Sequence, residues 1–328
     1  MCRVAAKKAG SASRAGKLNN VGRGIALRAS FLVARSGVYQ IKATATLSAT
    51  SLFAIGVIMD TSHNIGFIGG GQMAEALIRG ILNAGLARPD RLMVVEPDTA
   101  RQEYLRQVYS LQTVRESATL ASGSRILVLA VKPQVMGKVL AEYRGQITGQ
   151  HLVISIAAGI TIRSLAAGLG DEVRIIRVMP NTPALVLAGA SALAPNSRAT
   201  DEDLALAKQI FSAIGTCVEV SEPLLDAVTG LSGSGPGYVF AFIEALIDGG
   251  VLAGLPRPVA QQLVLQTVLG SAKLALETGE DPAVLRGRVT SPGGTTITGL
   301  QVLEESGFRG AVMTAVQAAA ERSRELGQ

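Results

Sequence analysis

Two stretches of this sequence combine residue types and spacings suited to holding anions. The first is Val289-Thr-Ser-Pro-Gly-Gly-Thr-Thr296, which runs into Ile297, Leu300 and Leu303 at helical spacing. Hydroxyls, a proline and two glycines therefore crowd a helix N-terminus, where free N–H groups and the positive dipole end favour a small carboxylate. The second is Gly69-Gly-Gly71-Gln-Met-Ala74. It follows the short β-branched run Asn64–Ile68 and precedes apolar positions at Ala74, Leu77, Ile78, Ile81 and Leu82, so it reads as strand, glycine turn, helix. The pattern is G-x-G-x-x-A. Gly69 permits the tight turn, Gly71 lets backbone approach a pyrophosphate, and Ala74 lets the helix pack close to the strand. A dinucleotide site is expected there, with Gly70, Gln72 and Met73 completing the loop. A glycine turn used only for packing is the competing reading.

The elements around these stretches alternate. Strands are predicted at Leu92–Val95, Ile126–Val131, Leu152–Ile156 and Arg174–Met179, with helices between them, up to about residue 195. The continuous apolar run Ile126–Val131 suits a strand covered on both faces. This is an α/β open sheet, whose ligands gather at the strands' carboxyl ends. Glu96 ends the second strand, where an acid accepts from the ribose hydroxyls of NAD and repels the 2′-phosphate of NADP; it argues for NADH. Lys132-Pro133 ends the next strand and can reach cofactor phosphate or ribose. The small residues Ala157-Ala158-Gly159 suggest backbone passing close to a cofactor, and Asn181 offers an amide from a turn framed by Pro180 and Pro183. Thr200-Asp-Glu-Asp203 resembles a capping box opening a helix that Gly215 should stop, and Cys217–Val220 is a candidate edge strand.

From about Glu222 strand patterns disappear. A helix over Tyr238–Gly249 is apolar nearly all round, which requires burial, and a subunit interface is the natural place. Asp281-Pro282 supplies another helix start. Three segments result: an extension over 1–62, a dinucleotide-binding domain over 63–221 and a helical domain over 222–328.

The formal net charge of +6 belongs to the extension. Residues 1–58 hold nine Lys or Arg and no acid, which leaves 22 basic against 25 acidic residues for the body. The body thus gives no charge argument for nucleic acid or membrane. The extension reads as an upstream stretch before a true start at Met59, an Arg- and Ser-rich transit peptide, or a basic arm. No run of about 18 uninterrupted apolar residues occurs. Cys2 and Cys217 are isolated, as are His63 and His151, so neither a disulfide framework nor a His/Cys metal site is expected. A cytoplasmic enzyme is the resulting expectation, or an organellar one if residues 1–58 are a transit peptide.

Five ordered motifs carry a resemblance to the pyrroline-5-carboxylate reductases: Ile65-Gly-Phe-Ile-Gly-Gly-Gly71, Ala130-Val-Lys-Pro133, Ile156-Ala-Ala-Gly159, Met179-Pro-Asn-Thr-Pro183, and Asp226-Ala-Val-Thr-Gly-Leu-Ser-Gly-Ser-Gly-Pro236 with the Val289–Thr296 stretch. The resemblance covers about residues 64–328. It implies a Rossmann-type doubly wound sheet followed by an all-helical dimerisation domain, with dimers often assembled into decamers. It implies that Gly69–Ala74, Glu96, Lys132 and Ala157–Gly159 contact NADPH or NADH, and Ser117, Ala130, Val131, Pro133 and Asn181 join them as expected cofactor positions. Glu222, Gly293, Gly294, Thr295 and Thr296 are expected to hold substrate, at an interface of two interleaved helical domains. Three positions depart from the usual pattern: Gly70 and Gly237 stand where Ala is common, and Glu96 stands where many members carry Ser, Asn or Asp.

The activity so implied is hydride transfer from a nicotinamide cofactor to 1-pyrroline-5-carboxylate, giving L-proline. A protonated cyclic imine is already electrophilic, so binding and alignment can supply much of the rate. Ser291 and the N–H groups around Gly293–Thr296 are assigned to the carboxylate, and the Thr296 hydroxyl to the ring nitrogen, which makes Ser291 and Thr296 the candidate catalytic pair. A β-hydroxyacid dehydrogenase is disfavoured, because such enzymes use a lysine in the helical half and Lys273, the sole lysine after 208, sits in an ordinary helix pattern. A nicotinamide-sensing protein and a nucleic-acid-binding arm are the remaining rivals.

Overall fold

The computed structural model describes residues 64–327 and, within a separate unit over Met1–Ile58, the two-residue antiparallel pairing of Arg28–Ala29 with Ala43–Thr44. The readings of the extension as leader, arm or upstream stretch, together with Cys2 and His63, lie outside the described residues.

From residue 64 the chain builds one eight-stranded sheet. Its strands are β1 (Ile65–Ile68), β2 (Leu92–Val95), β3 (Gln112–Val114), β4 (Ile126–Leu129), β5 (Leu152–Ser155), β6 (Arg174–Met179), β7 (Gly189–Pro195) and β8 (Gly215–Glu219). Their spatial order is β8-β7-β6-β5-β4-β1-β2-β3. All neighbours are parallel except β6 and β7, which run antiparallel with Val178 opposite Leu193. The order reverses at β1/β4, where Ile68 pairs with Leu129, and that crevice is where an open α/β sheet binds ligands.

Alternation along the strands feeds two cores. Phe67, Ile126, Val128 and Ile154 pack with Leu77 and Ile81 of α1 (Gln72–Asn83) and Phe211 of α6 (Asp201–Ser212). Leu127, Leu129 and Val153 pack on the other face with Leu120 of α3 (Ser117–Gly123), Tyr143 of α4 (Met136–Tyr143) and Leu165 of α5 (Ile162–Leu169). Residues one apart thus serve opposite faces, as the pleat demands. Phe67 and Leu77 are fully buried, each contributing about 1.5–3 kcal/mol. Thr200 and Asp203 form the expected reciprocal capping box on α6. That helix ends at Ser212, and Gly215 begins β8 instead of stopping α6. The edge strand β8 starts two residues earlier than the apolar pattern suggested.

The helical half begins with turns over Glu222–Gly233, including a π turn at Thr229–Gly233, and continues as α7 (Gly235–Leu252). Next come α8 (Arg257–Thr278), α9 (Pro282–Arg288), α10 (Thr295–Glu305) and α11 (Phe308–Leu326). At Gly230 any side chain would strike the Val316 carbonyl, so this glycine lets α11 lie directly on the π turn. The departure at Gly237 sits in open space within the first turn of α7, with nothing near its missing Cβ.

Within the single chain α7 buries none of its residues: Phe240 is 64% exposed and Leu252 is 91% exposed. The segment Glu222–Leu252 contains an 18-residue window with mean hydropathy of 1.3, apolar enough by length and composition to cross a bilayer, and 6% of that window is buried. Absence of an uninterrupted apolar run did not reveal this, because the glycines and lone acids of α7 dilute the run without making the helix polar. An apolar helix at the surface of a folded chain needs a second surface against it.

Candidate active site

The glycine turn follows β1 directly. Gly69 has φ +96°, and a Cβ there would stand 2.8 Å from the Ala130 carbonyl, so only glycine lets β1 pass the end of β4 this closely. Gly69 N–H donates to Val95 O (2.8 Å) and Ala130 N–H to Ile68 O (2.9 Å), which fixes the turn to both neighbouring strands. Gly71 caps α1 in an extended conformation with no side-chain cap and nothing near its Cβ position. The first N–H groups of α1 are therefore open to a phosphate, with Gln72 and Met73 in that turn and Ala74 buried. At Gly70 the common alanine would bring Cβ to 2.7 Å from Leu105 Cδ1, so that substitution requires Leu105 to move.

Side chains hold the turn from two directions. Glu96 Oε2 accepts from Gly70 N–H at 2.8 Å and Oε1 from Asp98 N–H at 3.0 Å. Arg101, on α2 (Thr99–Tyr109), donates from Nε to Gly70 O at 2.6 Å and pairs with Glu75 at 2.5 Å. Burial raises the Glu75 carboxyl, but hydrogen bonds from Arg101, Tyr109 and Tyr104 outweigh it and leave the group below the usual carboxylate range. Burial, then the hydrogen bond to Glu75, pushes Tyr109 up to about 12. This cluster of Arg101, Glu75 and two tyrosines gave no sequence signal of its own: its three members on α2 lie 26 to 34 residues from Glu75 on α1.

Beside Glu96 opens a cleft of about 590 Å³, lined among others by Gly69, Glu96, Thr99, Arg115, Val131 and Tyr143. Tyr143 is buried, and burial raises its hydroxyl well above the ordinary tyrosine range. Ser117 starts α3 close by, its hydroxyl accepting from Gln146 at 3.3 Å. The residues thus fit the adenosine half of a dinucleotide: a glycine turn, an open helix N-terminus, an acid at ribose position and an apolar-walled cleft.

A second cleft, of about 490 Å³, lies where Pro133, Ala158 and Gly159 face Thr229, Ser234 and Ser323 of the helical half. Ala130 and Val131 lead from β4 to Lys132, whose side chain is exposed. Ala157 is buried beneath the turn, and Gly159, with φ +73°, lies against Leu326 near the end of α11. Ser323 donates to Asp226 at 2.6 Å. Asn181 has both ends of its amide engaged inside the protein: Nδ2 donates to Ser232 O (3.1 Å) and Oδ1 accepts from Ala190 N–H (2.8 Å). Glu222 Oε1 accepts from Arg177 (3.1 Å) and from Ile162 N–H (2.7 Å).

The Ser291–Thr296 stretch stands elsewhere. Gly294 caps α10 without a side-chain cap, and the Ser291 hydroxyl folds over Gly294, where any Cβ would meet it. Gly293 has φ +64°, Ser291 and Thr295 are exposed and Thr296 is half-buried. None of the six residues lines either cleft at the sheet. Within one chain, therefore, the Ser291–Thr296 helix start borders neither the cleft beside Gly69 nor the one beside Gly159. At the amino-terminal edge of the sheet, another opening, lined by Asn64, Arg125 and His151, is remote from both. Among the described residues no group of three His, Cys, Asp or Glu side chains could hold a metal ion.

Residues 222–326 match the family described as pyrroline-5-carboxylate reductase dimerisation, and residues 64–159 the family described as NADP oxidoreductase coenzyme F420-dependent. A pyrroline-5-carboxylate reductase of Synechocystis is 52% identical, over 81% of this chain and 99% of its own; one from Arabidopsis thaliana is 44% identical, over 81% and 96%. Among solved structures, the Coxiella burnetii pyrroline-5-carboxylate reductase superposes with TM-score 0.78 at 37% identity (81% of this chain, 99% of that one). The Plasmodium falciparum pyrroline carboxylate reductase with NADP bound gives 0.74 at 36% (82% and 99%). The exposed apolar helices thus lie in a dimerisation domain. Together with the Rossmann-type sheet ahead of them, these matches establish that the chain belongs to the pyrroline-5-carboxylate reductase family.

Proposed function

We propose that this chain reduces 1-pyrroline-5-carboxylate to L-proline, the last step of proline synthesis, by taking hydride from NADH or NADPH. The observation that carries the reading is the coexistence of the pinned Gly69–Gly71 turn with the uncapped Ser291–Thr296 helix start in one family member. The bound nicotinamide supplies the hydride. The chain's own residues bind and align: the open N–H groups of α1 hold the pyrophosphate, Glu96 accepts from the ribose hydroxyls, and Lys132 and the Ala157–Gly159 turn border the reactive end. The N–H groups of Gly293–Thr296, with the Ser291 hydroxyl, hold the substrate carboxylate, and the Thr296 hydroxyl faces the ring nitrogen. Among the described residues no histidine stands there as an acid, so solvent or a Thr-linked water delivers the proton.

Because Ser291–Thr296 lines neither cleft within one chain, the active site is completed across a dimer, the second copy presenting Ser291–Thr296 to the first copy's cleft at Gly159 and Thr229. The apolar surface of α7 supports that arrangement, and assembly of such dimers into a decamer extends it. Glu96 favours NADH through the ribose hydroxyls it can accept from. The body's small net negative charge supports work on a small molecule, apart from nucleic acid and membrane, in the cytoplasm, or in an organelle if residues 1–58 are a transit peptide. Cofactor oxidation by the purified chain, with proline identified as product, tests the reading.

A further inference from the structure

Glu96 disfavours a 2′-phosphate, yet the same cleft carries cations that the protein itself does not use. Val95 and Val114 are register partners on β2 and β3, so Glu96 and Arg115 follow one another at the carboxyl ends of adjacent parallel strands. Both line the cleft, with Thr99, Lys138 and Glu142. Glu96 has a backbone N–H on each oxygen, from Gly70 and Asp98, which fixes its position and takes up part of its charge. Lys138 and Glu142 lie one turn apart on α4 and place one cation and one anion together on the cleft wall. Arg101 is the other arginine near the ribose end, but its guanidinium is engaged by Glu75, Gly70 O and Gly71 O. Arg115 has no hydrogen bond or ion pair among the described residues and is exposed at the cleft mouth.

We propose that Arg115 is the specificity-determining residue that admits the 2′-phosphate of NADPH to this cleft in spite of Glu96. The inference rests on the reading of the cleft as the adenosine site. A guanidinium presents a planar fork that binds a phosphate through two parallel hydrogen bonds, and an arginine near the end of the second strand is a general means of accommodating a 2′-phosphate. Glu96 and Arg115 then act in opposition: one attracts the free ribose hydroxyls, the other the phosphorylated ribose, and the cofactor ratio follows their balance.

The test is calorimetric titration of the full chain with 2′-phosphoadenosine diphosphoribose and with adenosine diphosphoribose, before and after Arg115→Ala. The expected result is a loss of about tenfold or more in affinity for the phosphorylated ligand, with less than about threefold change for the other, and partial rescue by Arg115→Lys. The NADPH-to-NADH ratio of kcat/KM falls in parallel. Equal changes for both ligands, or none, overturn the role of Arg115 while leaving the cleft as the adenosine site. Failure of the unsubstituted chain to bind either ligand overturns the adenosine reading and the proposal with it.

Discussion

Arg177 and Glu222 meet at 3.1 Å, and the same carboxylate oxygen accepts from the Ile162 N–H at 2.7 Å. Arg177 is buried on β6, Glu222 opens the helical half, and Ile162 opens α5 three residues after the Ala157–Gly159 turn. One carboxylate thus joins the sheet, the helical half and the cofactor turn. Glu222→Gln removes the charge that compensates a buried guanidinium and should cost about 2–4 kcal/mol in urea unfolding. It should also raise the KM for cofactor more than the KM for substrate. Unchanged stability with only the substrate KM raised would instead make Glu222 a direct substrate ligand, as the family resemblance implies.

The Glu75 cluster predicts two pH limits. Glu75 is held below its ordinary value, so its contribution is present above the usual carboxylate range and lost as pH falls through the lowered value. Tyr109 is raised to about 12, so its contribution is complete below the ordinary tyrosine value near ~10 and is lost as pH rises from there toward the raised value. Tyr109→Phe should flatten the alkaline limb of thermal stability against pH, and Glu75→Gln the acid limb. Unaltered limbs in both variants would show that the cluster does not report on folding.

On the proposed assignment, Thr296→Ala removes one hydrogen-bond partner at the reacting nitrogen and leaves the Gly69–Gly71 turn intact. Turnover should fall about tenfold or more, with cofactor affinity by titration within about twofold. Parallel loss of both would place Thr296 in the dimer scaffold rather than beside the substrate.

Much of this site was legible because its signals are local. Asn64–Ala74 declares a strand, a turn and a helix start in eleven residues, and Ser291–Thr296 declares a helix start in six. What escaped depends on long-range placement. The strand β3 is three residues long and half polar, and β7 carries small residues in an antiparallel register, so neither shows clear periodicity. Arg101, Glu75 and Tyr109 meet only after two helices pack beside the glycine turn. Glu222 was singled out only through the family resemblance, as a residue expected to hold substrate, and its partner Arg177 lies within an apolar strand, where a charge reads as an interruption. The uniform apolarity of α7 was plain, yet no helix or strand among the described residues covers it.

That missing surface gives a further prediction. Phe240 is 64% exposed on α7, and Phe240→Glu places a charge on the face the dimer should bury. Sedimentation should show a shift toward monomer, and specific activity should fall with it. A dimer of undiminished mass and activity would move the interface off α7.

On the proposed reading, the pinned glycine turn and the Ser291–Thr296 loop together form an imine-reducing site. The direct measurement follows cofactor oxidation by the full chain with 1-pyrroline-5-carboxylate, NADH and NADPH being compared in parallel and the product identified. Rapid oxidation yielding proline is predicted, with Glu96 favouring NADH. A folded dimer that binds cofactor yet oxidises neither form with this substrate would contradict the claim.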